Sequence, residues 1–347
     1  MAHFAWKFFL VIFLLSFCKN SQEFDNHLIV NIEKTSLREE PTEKSREIAV
    51  LKKGQSLTDL GKVSQTESQI LLEGQLSQSP WVMVQTKQKQ NGWAHAGALK
   101  PSENKDNWMM QKRLDCYFGK NLTARQNVLL QELANPESDV QHGRLWRESK
   151  VLRDTFMSLI SSRPKTEMQL DFAWLQYVLP GYILQKVGAN NQFYIFANID
   201  YWHKKSLTTN GSQDDNFFKT LLTAFPVDNV ESFYPVWEFQ ISESSSASQL
   251  GLGHHANMLS VIDDAIKSET VFAPELVQLK HLILEDIFDK KQRYWQSKDR
   301  ILAELEHILN APPNCLTARE IEALGIRKRM FDAPEKNGIL LNLRSGE

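Results

Sequence analysis

The sequence predicts a multidomain chain in which a small all-β barrel is followed by a mainly α-helical domain. Three observations carry that expectation. Residues 27–101 fall into short, β-branched runs separated by glycine turns, the pattern of strands joined tightly. A polar, proline-led stretch, PSENKD (101–106), then interrupts the pattern. Beyond it, apolar residues recur at threes, fours and sevens, which is helical spacing. The expected organisation is a signal segment over 1–17, a tether over 18–26, a barrel over 27–101, a linker over 102–107 and a helical domain over 108–347.

Composition sets the outer bounds. Of 347 residues, 42% are hydrophobic and 24% charged, enough apolar material to build real cores. The formal net charge of −2 supplies no basic field, so nucleic acid is not an expected partner. The three cysteines, Cys18, Cys116 and Cys315, contain no CxxC pair, which excludes thiolate zinc sites and thioredoxin-type redox motifs. No Gly-x-Ser-x-Gly, Walker loop or dinucleotide fingerprint occurs, and no cofactor is expected.

The first element is the run Phe8–Phe17, ten uncharged residues after Lys7. As a helix it would reach about 15 Å, half of a ~30 Å hydrocarbon core, so it fits the apolar region of a secretory signal. Its end, Leu15-Ser16-Phe17-Cys18, resembles the bacterial lipobox, although Phe17 stands where a small residue is usual. The resemblance implies cleavage before Cys18, a diacylglycerol on its thiol and a membrane-anchored protein of the bacterial cell envelope, facing the periplasm or the surface. Two or three acyl chains anchor stably, where one gives only marginal binding. With Cys18 lipidated, Cys116 and Cys315 either form a disulfide or remain buried thiols. A bridge would close a loop of about 200 residues and be worth roughly 4–5 kcal/mol in a chain-entropy account.

The second element is the β region. LIVNI (28–32), LREEP (37–41), EIAVLKKGQSLTDLGKV (47–63), WVMVQT (81–86) and GWAHAGAL (92–99) read as five or six short strands, with turns at Gly54 and Gly61. A closed or half-closed barrel would hide their edges. Leu37-Arg38-Glu39-Glu40-Pro41, then Ile48, Leu51 and Gly54, then Trp81 and Val84, then Gly92-Trp93 and Leu99, stand in the order and spacing of the bacterial Src-homology-3 (SH3-like) domain, which this region resembles. SQTESQILLEGQLSQS (64–79) is longer than the usual loop of that family, and Glu40 replaces a common glycine. The resemblance implies a non-catalytic module that binds cell-wall peptide or a partner protein segment. Trp81, Trp93 and Arg38 are the residues expected to line its groove, with core packing as the alternative for both tryptophans.

The third element is helical. Thr123-x-x-Gln126 is a capping-box signature ahead of NVLLQELA. Leu145, Leu152, Phe156, Leu159 and Ile160 mark another amphipathic helix. Residues 275–309 predict a longer one broken near Lys290, and Thr317-x-x-Glu320 begins a last helix stopped at Gly325. NNQFYIFANIDYW (190–202) fits helix or strand, VESFYPVWEFQIS (230–242) is strand-like, and SESSSASQLG (242–251) has the composition of a flexible loop.

The expected function is that of a non-enzymatic envelope lipoprotein with a peptide-binding module and a helical docking domain. The alternative is a cell-wall hydrolase. It would use Cys116, within Asp115-Cys116-Tyr117-Phe118-Gly119, or a metal held by His254 and His255 near Asp263 and Asp264. Adjacent histidines diverge on a helix, which poorly suits zinc, and no metal site is expected.

Overall fold

The computed structural model describes residues 26–103, 107–163, 172–187, 192–242, 245–268 and 270–341. The leader and Cys18 lie outside them. Two compact units form, Met1–Cys116 and Tyr117–Glu347. Among the described residues no helix is long and apolar enough to cross a membrane.

In the N-terminal unit, β1 (His27–Val30), β2 (Lys34–Arg38), β3 (Glu47–Lys52), β4 (Ser56–Leu72), β5 (Gln75–Gln85), β6 (Asn91–His95) and β7 (Leu99–Pro101) form one sheet. Its order is β3-β2-β6-β5-β4-β1-β7, with every neighbouring pair antiparallel. A short 3-10 turn, Ala96–Ala98, joins β6 to β7. Leu28, Val30, Leu37, Leu51, Leu57, Val82, Val84, Ala94, Ala96 and Leu99 build a single apolar core on one face.

This corrects the expected small barrel. Residues 64–79 are not a loop: β4 runs for 17 residues and pairs with β5 from Glu67↔Pro80 out to Leu72↔Gln75. The hairpin turns at Glu73 and Gly74, both at positive φ (48° and 82°), the backbone that a two-residue hairpin loop demands. The result is a large antiparallel sheet with edges at β3 and β7. Nor does the chain divide plainly into barrel, linker and helical domain. The first helix, α1 (Trp108–Phe118), begins in the N-terminal unit, where Trp108 and Met109 pack against the sheet core, and the break between units comes after Cys116, inside it.

The C-terminal unit holds α2 (Lys120–Ala134), α3 (Asp139–Ser161), α4 (Leu175–Val178), the hairpin β8 (Tyr182–Val187) and β9 (Gln192–Ala197), α5 (Ile199–Ser206) and α6 (Gln213–Ala224). Then follow β10 (Glu238–Ser242), β11 (Ser245–Ser248), α7 (His254–Ser268), α8 (Ala273–Phe288), β12 (Arg293–Tyr294), α9 (Lys298–Asn310), α10 (Ala318–Met330) and β13 (Leu340–Leu341). The mainly helical expectation is incomplete, because β10-β11-β12-β13 make a mixed sheet, antiparallel at β10/β11 and parallel beyond. Its edge strand β10 exposes Phe239 and Ile241 and shifts register between Gln240 and Ser242.

The helices obey local rules unevenly. Thr317 forms the capping box with Glu320, but α10 runs through Gly325 to Met330. Thr123 caps nothing: α2 starts at Lys120, the Thr123 hydroxyl donates to the Gly119 carbonyl, and Gln126 donates to the Val178 carbonyl. Trp146, Trp202, Phe217, Phe218 and Phe272 pack as edge-to-face and stacked rings that fill the centre of α3, α5 and α6.

Candidate functional site

Strand alternation places the β-region candidates. Val82 and Val84 of β5 and Ala94 of β6 point into the apolar core, so their neighbours Trp81, Met83, Trp93 and His95 take the opposite face. Trp81 lies across from His95, Met83 across from Trp93, and Arg38 across from Trp93. The three expected residues therefore share the face of the sheet turned away from its core.

Only two of them line the same depression. A groove of about 430 Å³ is bounded by Lys34, Ser36 and Arg38 of β2, Glu47 and Val50 of β3, Ile70–Leu72 of β4, Glu43 and Trp81. Trp93 is half-buried outside it. Trp81 forms the floor at 2% exposure, so it is a buried wall rather than an open stacking platform. Its indole N–H donates to Ser68 Oγ (3.0 Å), its backbone N–H donates to Ser64 Oγ (2.9 Å), and its ring meets His95 edge-on at 5.3 Å. β4 supplies Ser64 and Ser68 and β6 supplies His95, while the distal part of the long β4–β5 hairpin adds Ile70–Leu72 as one wall of the groove.

The rim is charged in both senses. Arg38 spends one N–H on the Ser45 carbonyl (Nη1, 2.6 Å) and Lys34 stands on the same strand. Glu43 and Glu47 oppose them, and Glu47 accepts from the Ser36 hydroxyl (2.5 Å). Below, His95 is fully buried with Nε2 at 3.0 Å from the Ser68 carbonyl, and burial holds its imidazole below the ordinary value. Behind the hairpin, α1 fastens the strands with two ion pairs largely removed from water, Lys112–Asp59 (2.6 Å) and Arg113–Glu67 (2.8 Å).

The C-terminal unit contains buried polar networks that sequence reading missed apart from singling out His255 as a metal candidate. His255 Nε2 lies 2.6 Å from Asp286 Oδ2, which also accepts from Ser248 Oγ (2.5 Å), while Gln292 donates to Oδ1. All of Ser248, His255 and Asp286 are buried. The residue types are those of a hydrolytic triad, but the connectivity is not. The serine hydroxyl donates to the carboxylate instead of to the imidazole, so no base draws its proton. Glu304 gathers the loop ahead of α7, accepting from Gly251, Gly253 and Ala256 N–H groups. A second buried pair, His142–Asp214 (2.9 Å), is shared with the Thr209 hydroxyl and stacked on Trp202.

The other sequence candidates fall apart in space. His255 is absorbed in the Asp286 network. Asp263 accepts from the Cys315 backbone N–H (2.7 Å) and the Asn314 amide (3.1 Å). Asp264 pairs with Lys267 at the surface. Among the described residues no three His, Cys, Asp or Glu side chains converge to hold a metal ion. Cys116 and Cys315 are not joined by a disulfide. Cys116 is buried in the last turn of α1, not at the helix N-terminus where catalytic cysteines are commonly placed. Burial, aided by Asp263, pushes the Cys315 thiol up to about 11, far from a nucleophile's range. No protein-family model matches this chain, and no curated protein or solved structure is significantly similar to it.

Proposed function

We propose that this is a non-enzymatic lipoprotein of the bacterial envelope whose N-terminal unit holds a short, extended peptide carrying both charges, as cell-wall peptide does. The observation that carries this reading is the groove that sets Lys34 and Arg38 against Glu43 and Glu47 over the Trp81 floor. Opposed cationic and anionic rims complement a ligand with both carboxylate and amine, and β3 leaves one strand edge free beside it. The leader and Cys18 support delivery outside the cytosol and attachment by lipid.

The test is retention of the full-length protein on purified peptidoglycan sacculi, with Arg38→Ala and Lys34→Ala alongside. Loss of a charge-assisted hydrogen bond of about 1.5–3 kcal/mol predicts roughly tenfold or more weaker retention for Arg38→Ala. Equal retention of wild type and both variants, or none for the wild type, removes wall peptide as the ligand. Radiolabelled palmitate entering the wild type but not Cys18→Ala tests the anchor.

A further inference from the structure

The C-terminal unit contains a cavity of about 830 Å³ that the peptide-binding reading does not use. Its size is that of a site for a small organic molecule. Phe225, Phe233, Trp237 and Phe288 form its aromatic walls, with Phe233 offering nearly half its surface to solvent at the mouth. Five carboxylates, on Glu231, Glu238, Glu285, Asp286 and Asp289, complete the lining, and none of the lining residues is a Lys, Arg or His.

The charges are only partly balanced. Arg153 and Lys150 answer Glu231 (3.1 and 3.4 Å), and Asp286 is occupied by Ser248, His255 and Gln292. Glu238, Glu285 and Asp289 have no ion-pair partner among the described residues. Glu238 is half-buried, and its one side-chain partner is the Ser246 hydroxyl (2.7 Å). Burial pushes the Glu238 carboxyl up, with nearby Asp286 adding to the rise against the Ser246 bond. The buried His255 imidazole acts against that rise without overcoming it, so a positive group arriving beside Glu238 would be favoured. Among the described residues no three such ligands converge on one point, so the lining suits an extended organic cation better than a metal ion. The anions are spread along an aromatic-walled cavity, which matches several positive charges separated by apolar spacers.

We propose that this cavity binds an elongated organic cation of the polyamine class, with ammonium groups on Glu238 and on the Glu285/Asp289 side and its methylene chain against Phe233. Ammonium groups beside aromatic faces gain cation–π attraction in addition to the ion pairs.

Isothermal titration of the full-length protein with spermidine, against magnesium chloride and trilysine at matched ionic strength, tests this. Saturable spermidine binding is expected, weakened about tenfold or more in Glu238→Gln/Glu285→Gln and several-fold in Phe233→Ala. Glu285 and Asp289 are exposed, so Glu285→Gln/Asp289→Asn reports on binding even if the Glu238 variant fails to fold. Absence of saturable heat, unchanged affinity in both double variants, equal competition by magnesium, or tighter binding of trilysine each overturns the assignment. These outcomes are independent of sacculus retention, which reads the other unit.

Discussion

In the N-terminal unit the carboxylates withdrawn from water, Asp59 and Glu67, face Lys112 and Arg113; in the C-terminal unit Asp214 and Asp286 face His142 and His255. An ammonium or guanidinium brings a fixed charge and several donors. An imidazole offers one nitrogen to the carboxylate, so hydroxyls and amides must supply the rest: Thr209 for Asp214, Ser248 and Gln292 for Asp286. The buried carboxylates of the β unit thus take one fixed cation and a lighter partner each, the Gly61 N–H for Asp59 and the Gln78 amide for Glu67, whereas Asp286 is a hub for three uncharged or weakly basic side chains. Removing Asp286 strands three polar side chains, where removing Glu67 strands Arg113 and Gln78.

The largest effect that follows is at Asp286. Asp286→Ala leaves Ser248, His255 and Gln292 without their shared acceptor and is expected to cost about 3–5 kcal/mol in denaturant unfolding. Glu67→Ala should cost less, about 2–3 kcal/mol: the Gln78 amide also loses its acceptor, but Arg113 keeps a fifth of its side chain in water and still donates to the Gln78 carbonyl. A Glu67→Ala cost equal to or above that of Asp286→Ala would break the contrast between the cation-held carboxylate and the three-partner hub.

Acid sharpens it further. Burial holds His95 below its ordinary 6.5, so the unfolded chain takes the proton first and the N-terminal unit loses stability as pH falls through that value. In the C-terminal unit burial alone would raise Glu320, but Lys280 and the Thr317 N–H and hydroxyl outweigh it. Burial would likewise raise Asp263, and Asn314, the Cys315 N–H and Lys267 overcome it. Those two contributions persist above about 4.5 and 3.8 and vanish only as pH drops through the depressed native values. Glu238, raised by burial, favours the fold as pH falls. Hydrogen exchange at pH 7 and 5.5 should show protection falling first in residues 27–101 and not in 254–330, with the change suppressed in His95→Gln. Uniform loss across both units would contradict this. The smallest effect is at the Thr317 cap, where Thr317→Ala should cost about 1 kcal/mol in the same unfolding experiment.

These contrasts were unevenly legible in the sequence. The strands within 28–32, 47–63, 81–86 and 92–99 were legible from β-branched runs bounded by the glycine turns, although in β3 the side chain that is buried is Leu51 and Val50 is exposed. Gly92 was readable as well: a Cβ there would sit 2.7 Å from Leu37 Cγ and 2.8 Å from the Arg38 carbonyl, where β2 crosses β6. The 64–79 hairpin was hidden because much of it stays exposed, Leu71 and Leu76 at 68% each, so Ser and Gln replace the apolar alternation. The Leu-Glu-Gly-Gln turn was its one signal. The break near Lys290 was visible, but β11 in SSASQ was not, since its serines serve a buried network instead of a surface. The hubs themselves were invisible: Ser248, His255, Asp286 and Glu304 come from four separate elements, and no local spacing reports such a meeting.

One edge of the mixed sheet carries a last implication. Strand β10 offers Phe239 and Ile241 beside a row of main-chain groups, the kind of border on which copies of a protein stack into fibres. The slipped register after Gln240, whose amide folds back to the Ser242 carbonyl, bends that border so that a foreign strand cannot lie flat along it. An irregularity of this kind is a built-in obstacle to edge-to-edge pairing.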